Sequence, residues 1–250
     1  MLALYHNDMS LCAQKVRVCL AEKKLDWEDR HIVLRSGEHQ KEWYRKLNRR
    51  AVVPTLIDGD NVVPESNVIL EYLEDVFPAI ALRPNSGYDK AQMRLWIFNS
   101  EEIAHSNVNT ASHNPRHAVR LAQKPYTPEQ LDRAAANCPN PIIMARFLHR
   151  QAHGVSDAEE NQAYVALDYL LGMMEETLAA SPWLAGKDYS LADIAMAPFI
   201  NRIEVLKRPE MVGAAKRPRL AAWWQRVQER PAFKEAFSYA NPDKSDPIKR

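Results

Sequence analysis

The apolar positions of the first eighty residues change their period several times. Leu2-Ala3-Leu4-Tyr5 forms a short continuous run, Val16, Cys19, Leu20 and Lys23 follow helical spacing, and Trp27 to Leu34, with Ile32 and Val33, returns to a strand-like run. Glu38 to Leu47 again has helical spacing. Val53-Pro54-Thr55-Leu56-Ile57 and Asn61-Val62-Val63 flank the turn Asp58-Gly59-Asp60 as a hairpin, and Ser66 to Phe77 carries apolar residues one helical turn apart. The predicted order is βαβ followed by (α)ββα, a small mixed sheet with helices packed on it.

Phe77-Pro78 through Arg83-Pro84-Asn85-Ser86-Gly87 concentrates the residues that interrupt periodic structure, which places a boundary near residue 80. Beyond it the hairpin signals stop. Helical patterns run from Lys90 to Ser112, Pro128 to His153, Asp157 to Leu178, Leu191 to Leu206 and Leu220 to Glu229. Pro139 and Pro141 should break the second of these, because each lacks an N–H and restricts the residue before it. The expected fold is an α+β, thioredoxin-like N-terminal domain joined to an all-α helical bundle. The tail from Ser238 to Arg250, rich in Pro, Asp and Lys, either covers the site or is disordered.

Composition narrows the chemistry. Among 250 residues, 33 Lys and Arg oppose 32 Asp and Glu, so no global charge calls for nucleic acid or an anionic membrane surface. The seven glycines come no closer than 14 positions to one another, which rules out a GxGxxG turn and a GxxxxGK phosphate loop. HExxH, GxSxG and CxxC are absent as well. Three cysteines, a polar N-terminus and no apolar run of membrane length point to a cytoplasmic protein. His113/His117 and His149/His153 have one-turn spacing but no further ligand at metal spacing, so they read as solvated or capping residues and no metal is expected.

Three segments could carry chemistry. Asn7-Asp8-Met9-Ser10-Leu11-Cys12 joins the first strand to the first helix, so Ser10 and Cys12 fall at a helix N-terminus, where free N–H groups and the dipole stabilise a thiolate. A plain N-cap and a small buried filler would account for the same two residues. Val53-Pro54 opens a strand with Val53 held extended, its backbone free to pair with an extended ligand, or else it is an ordinary edge-strand proline. Glu65-Ser66 precedes the helix of Val68, Ile69, Tyr72, Leu73 and Val76, which makes Ser66 the N-cap. A carboxylate suits that helix start and an amino group suits Glu65, so an α-amino acid head would satisfy both. Separately, Ser190-Leu191-Ala192-Asp193 reads as a capping box with a folding role.

Four pieces taken in order resemble the cytosolic glutathione transferase superfamily over nearly the whole chain. They are Ser10-Leu11-Cys12-Ala13-Gln14-Lys15-Val16-Arg17, Leu47-Asn48 with Val52-Val53-Pro54-Thr55-Leu56, Glu65-Ser66 with Ile69-Leu70-Glu71-Tyr72-Leu73, and Ser190-Leu191-Ala192-Asp193-Ile194. The Ser-x-Cys spacing before Val-Arg is most similar to zeta-type enzymes, which include maleylacetoacetate isomerases, and to tetrachlorohydroquinone reductive dehalogenases. Gly37-Glu38-His39 is similar to theta-type transferases.

The resemblance implies a glutathione-binding domain at 1–79, a linker at 80–88 and a helical domain at 89–250 that supplies the electrophile site, in a homodimer. It implies that Ser10 hydrogen-bonds the glutathione sulfur and that Cys12 can attack a glutathione adduct. Val53, with Pro54, would hold the cysteinyl backbone, Glu65 and Ser66 the γ-glutamyl head, and His39 and Gln40 would face the glycyl carboxylate. Spacings of three and four put Asn99, Ile103, Ser106 and Asn107 on one helix face above the site. The expected function is transfer of the glutathione thiolate to a small hydrophobic or aromatic electrophile, with glutathione as co-substrate. A cis-trans isomerase, a reductive dehalogenase using Cys12, and a non-catalytic interaction module are the alternatives.

Overall fold

A computed structural model describes residues 1–114, 127–206 and 208–239. Pro115 and His117, and most of the C-terminal tail, lie outside the described residues. Strands β1 (Leu2–His6), β2 (Trp27–His31), β3 (Thr55–Asp58) and β4 (Asn61–Pro64) form one sheet in the order β2-β1-β3-β4. β1 pairs parallel to β2 through the crossover helix α1 (Leu11–Glu22), and antiparallel to β3, with Leu4 opposite both Asp29 and Leu56. The alternation that buries Leu2, Leu4 and His6 puts one face of β1 on the core.

The segment expected as one helix from Glu38 to Leu47 differs. Two 3₁₀ turns, Leu34–Ser36 and Glu38–Gln40, flank Gly37 at φ 75°, and α2 spans only Glu42–Leu47 because Lys41 is extended. The left-handed backbone at Gly37 suits a residue without Cβ and turns the chain before α2 starts. The Val53–Pro54 peptide is cis. α3 is Ser66–Val76, and its N-cap position is Glu65 at φ 70°, not Ser66 as the sequence suggests. The positive φ at Glu65 makes the sharp entry, so Ser66 is already the first helical residue and is buried.

The second part of the chain is helical. α4 (Gly87–Asn99) continues through a π turn (Ser100–His105) into α5 (Ser106–Ala111). α6 (Pro128–Asn137) and α7 (Pro141–His153) are separated where Pro139 and Pro141 required a break, and Thr127 and Asn140 cap their starts. α8 (Asp157–Thr177), α9 (Leu191–Val205), α10 (Pro209–Val212), α11 (Pro218–Glu229) and α12 (Pro231–Ser238) follow. Among the described residues, no helix is long and apolar enough to cross a membrane.

α1 is the centre of the molecule. The sheet lies on one side of it and α3, α9 and α12 pack around it, so even Gln14, Lys15 and Arg17 are buried. Each polar head meets a partner, as burial requires. Gln14 Nε2 donates to the Asp8 carbonyl, and Arg17 donates to the carbonyls of Asn7, Asp8 and Ala236 and to His6 Nδ1. Because a guanidinium can only donate, His6 Nδ1 accepts and its Nε2–H donates to Asp29 at 2.8 Å. Burial, with the Arg17 charge, pushes His6 down to about 4 and keeps it neutral. Arg230, the residue that joins α11 to α12, closes a bidentate pair on Glu22 of α1.

The connection from α3 to α4 is fixed rather than loose. Lys23 Nζ meets Glu74 at 2.6 Å and donates to the carbonyls of Phe77 and Ile80, while both Glu74 oxygens accept the Leu82 N–H. The Leu82 carbonyl in turn accepts from the Leu191 N–H at the start of α9. The predicted capping box is present there. Asp193, fully buried, accepts from the N–H of Ser190 and Leu184 and from Trp223 Nε1.

Candidate active site

Ser10 is extended, at φ −72° and ψ 115°, and caps α1 with its Oγ accepting the Ala13 N–H at 3.3 Å. That bond uses an oxygen lone pair and leaves the hydroxyl hydrogen free to donate. Cys12 stands in the same first turn and is half-buried. Its Sγ lies 3.9 Å from His105 Nε2, and His105 Nδ1 lies 2.8 Å from Glu101 Oε1. Lys15, one turn along α1, has no exposed surface and donates to Asn67 and Ser100 at 3.0 and 3.1 Å.

These charges set one another. Burial pushes the Cys12 thiol up, but the His105 hydrogen bond and the Lys15 and His105 charges outweigh it and hold the thiol below its ordinary value. Burial also works against a charged His105, yet its bonds to Cys12 and Glu101 raise the imidazole to about 10. The His105 bond lowers Glu101 in turn. Cys19, two turns further along the same helix, lacks such partners, and burial pushes it up to about 12. Cys12 is thus the thiol poised to ionise, and its surroundings make it so.

The π turn brings this arrangement together. An α-helix turns about 100° per residue, and the wider π turn takes up one extra residue, so the positions beyond Asn99 are rotated from an unbroken helical count. Ser100, Glu101 and His105 therefore face the start of α1, where even helical spacing suggested Asn99, Ile103, Ser106 and Asn107. Asn99 is buried with its Nδ2 unpartnered among the described residues, Ile103 packs on the core, and Ser106 is exposed with its hydroxyl on the Glu102 carbonyl. Asn107 instead lines an open cleft of about 290 Å³ together with Arg150 and Glu159.

The other positions surround this helix start less completely. Val53 and Pro54 stand just before β3, outside the ladder that begins at Thr55. Glu65 Oε1 is 2.7 Å from Arg50 Nη1, so a guanidinium holds the carboxylate for which the sequence suggested a ligand amino group. His39 and Gln40 lie half-buried in the second 3₁₀ turn. His39 Nδ1 has no partner among the described residues, and burial lowers its pKa, so the ring offers hydrogen bonds rather than a charge. Of the histidine pairs, His113 Nε2 lies 3.3 Å from the Arg150 carbonyl and the His149 and His153 rings are 4.8 Å apart.

Spacing alone did not disclose Lys15, Arg50, Glu101 and His105. Lys15 falls within a helical pattern whose polar members look solvent-facing, and His105 is brought to Cys12 from 93 positions away. One ligand atom from each of Cys12, Glu101 and His105 lies within 4.8 Å of the others. Lys15 presses its positive charge on the same thiol, and Glu101 is engaged with His105.

Comparison with known proteins agrees with this geometry. Residues 9–76 match the family model described as Glutathione S-transferase, N-terminal domain, and residues 138–231 match Glutathione S-transferase, C-terminal domain. Protein LigF of Sphingobium sp. (strain NBRC 103272 / SYK-6) is 32% identical over 257 residues, covering 100% of this chain and 97% of that one. The tetrachloro-p-hydroquinone reductive dehalogenase of Sphingobium chlorophenolicum is 30% identical, with 94% of each chain covered. The crystal structure of the beta-etherase LigF from Sphingobium sp. strain SYK-6 superposes with a TM-score of 0.84 at 30% identity, covering 96% of this chain and 99% of that one.

Proposed function

The chain belongs to the glutathione S-transferase family, and from that premise we propose that it is an enzyme that activates the glutathione thiol at the start of α1 for attack on a small hydrophobic or aromatic electrophile. The observation that carries this reading is Ser10, which caps α1 with its oxygen and keeps its hydrogen for the glutathione sulfur. A hydroxyl donor and the free N–H groups of the first turn both favour thiolate over thiol, so the nucleophile exists at neutral pH. The 1–79 segment binds glutathione. Val53 with Pro54 pairs with its backbone, Glu65 and Ser66 take the γ-glutamyl head with Arg50 sharing the Glu65 carboxylate, and His39 and Gln40 meet the glycyl end. The 89–250 segment supplies the electrophile's walls.

The whole-length likeness to LigF favours an electrophilic carbon bearing an ether oxygen, so that thiolate attack forms a thioether and releases an alkoxide or phenolate. The likeness to the dehalogenase favours a carbon bearing halogen.

The test is glutathione thiolate absorbance against pH, with turnover of a dinitrochlorobenzene and of a model aryl ether. In Ser10→Ala the titration of bound glutathione should move up and turnover should fall roughly 10- to 10²-fold, the worth of one hydrogen bond to a charged group. Unchanged titration in that variant would remove Ser10 from the mechanism.

We also propose that the protein works as a homodimer through β4, α3 and α4. Val62, Val68, Leu95 and Phe98 are exposed there around the Arg94–Glu71 ion pair. Phe98→Glu should halve the mass seen by light scattering, and an unchanged mass would place the interface elsewhere.

A further inference from the structure

We propose that His105 is a catalytic acid of this site, passing its Nε2 proton to the oxygen that leaves when the glutathione thiolate displaces an aryl ether, with Glu101 as its positioning residue. The inference deepens the glutathione reading above and rests on it, because that reading supplies the thiolate.

Making the thiolate takes only Ser10 and the free N–H groups at the start of α1, and neither gives anything to the departing group. A halide departs as a stable anion and needs no proton. A phenolate or alkoxide is a far stronger base, and a proton supplied as its bond breaks speeds its departure. The two electrophile classes set out above therefore differ in whether they need an acid, and the first turn of α1 has one beside it.

His105 ends the π turn Ser100–His105, the irregularity that carries it to the start of α1. Its side chain is 32% exposed, so a small molecule can reach the ring. Nδ1 lies 2.8 Å from Glu101 Oε1, so the carboxylate accepts the Nδ1–H and the second proton of the imidazolium stands on Nε2. Nε2 faces Cys12 Sγ at 3.9 Å and the Asn109 side-chain amide at 3.3 Å. The contact with sulfur is long, and an ether oxygen arriving at roughly 2.7–3.2 Å takes the proton in its place. The buried Phe199 ring, its centroid 6.0 Å from that of the imidazole, backs the ring and helps hold its orientation. Lys15 is no substitute donor, since its ammonium has no exposed surface and is spent on Asn67 and Ser100. Burial opposes the imidazolium charge, but the bonds to Cys12 and Glu101 raise the ring to about 10. The ring is thus charged at neutral pH, and phenols, which titrate at about 10, accept its proton without an uphill transfer.

The displacement balances without oxidant or reductant. The glutathione thiolate attacks the carbon that bears the aryloxy group. A C–S bond forms, the C–O bond breaks with its electron pair on oxygen, and the oxygen takes the His105 Nε2 proton. The proton that the glutathione thiol released on ionising goes to solvent, and His105 recovers one from solvent. In sum, GSH and R–OAr become R–SG and ArOH.

The experiment uses the full-length protein, glutathione and two probes, phenacyl 4-nitrophenyl ether and phenacyl 4-methoxyphenyl ether, which differ only in the basicity of the phenol that leaves. Released phenol is measured by chromatography, with glutathione calorimetry and dinitrochlorobenzene turnover recorded for every variant. The wild type should cleave both ethers. His105→Gln should widen the nitrophenyl-to-methoxyphenyl rate ratio roughly 10²-fold, the usual worth of a positioned proton donor. Glu101→Gln should widen it in the same direction by less. A residue that only supported the fold would slow both ethers alike and leave the ratio where it was. An unchanged ratio in a His105→Gln protein that binds glutathione overturns the inference. If that variant loses glutathione binding, the ratio in Glu101→Gln decides in the same way. A wild type that binds glutathione and turns over dinitrochlorobenzene but releases phenol from neither ether also overturns it and leaves the glutathione reading standing. A wild type that binds no glutathione overturns both.

Discussion

Glu74→Ala is expected to cost about 3–5 kcal/mol of stability, read as a shift of the urea unfolding midpoint. The Lys23–Glu74 pair is almost wholly removed from solvent, with side chains 1% and 6% exposed. Removing the carboxylate leaves a buried ammonium without its counter-charge and also strips the Leu82 N–H of its acceptor. The carbonyls of Phe77 and Ile80 still accept from Lys23 but cannot neutralise it. The double variant Lys23→Met/Glu74→Gln, which keeps an oxygen for Leu82 and has no charge to bury, should recover more than half of that loss. If the double variant is as unstable as Glu74→Ala, the stranded charge is not the source of the loss.

Asp193→Ala should be of similar size, about 3–5 kcal/mol, lowering Tm by roughly 10 °C for a chain of this length. Asp193 is fully buried, and its two oxygens accept the N–H groups of Ser190 and Leu184 and the Trp223 indole N–H at 2.7 Å. Alanine leaves all three donors unpaired inside the core. Asp193→Asn keeps one oxygen for Trp223 and Leu184 but turns an NH₂ toward Ser190, so roughly half the loss is expected. Thermal unfolding of both variants checks the order, and an Asn variant as unstable as the Ala variant would make the charge, not the hydrogen bonds, the stabilising element. Burial pushes Asp193 up to about 6, against the donors that pull it down, so at neutral pH the group remains a carboxylate and keeps its acceptors.

Local signals in the sequence were sufficient where a feature is built by neighbours in the chain. Ser10 at the start of α1, the break between α6 and α7, and the Ser190–Asp193 box each depend on residues within four positions of one another, and each appears as read. Ser66 missed its position by one because the turn into α3 is made by a left-handed Glu65, a conformation that composition does not announce for a glutamate. Counting by three and four along the α4–α5 helix assumes an unbroken α period, and the π turn at Ser100–His105 shifts it. His105 and Glu101 could not be joined to Cys12 from the sequence, since no local pattern records an approach across 93 positions. The proposed glutathione-binding positions have local signatures, whereas the thiol's ionisation depends on tertiary contacts.

The contact of α12 with α1 bears on how this protein can be recombined with its relatives. Arg17 sends its Nε–H to the Ala236 carbonyl, Arg230 holds Glu22, and the Tyr239 hydroxyl reaches Asp29 on β2. The last helix therefore completes the shell of the first one, although more than 200 residues separate them in the chain. A chimaera that takes residues 1–79 from one parent and the rest from another cuts at the obvious linker but parts α1 from the carbonyl and the guanidinium that match it. Inheritance of the N-terminal half as a working unit would require residues 230–239 to travel with it, so the natural block for exchange is discontinuous in sequence and closed in space.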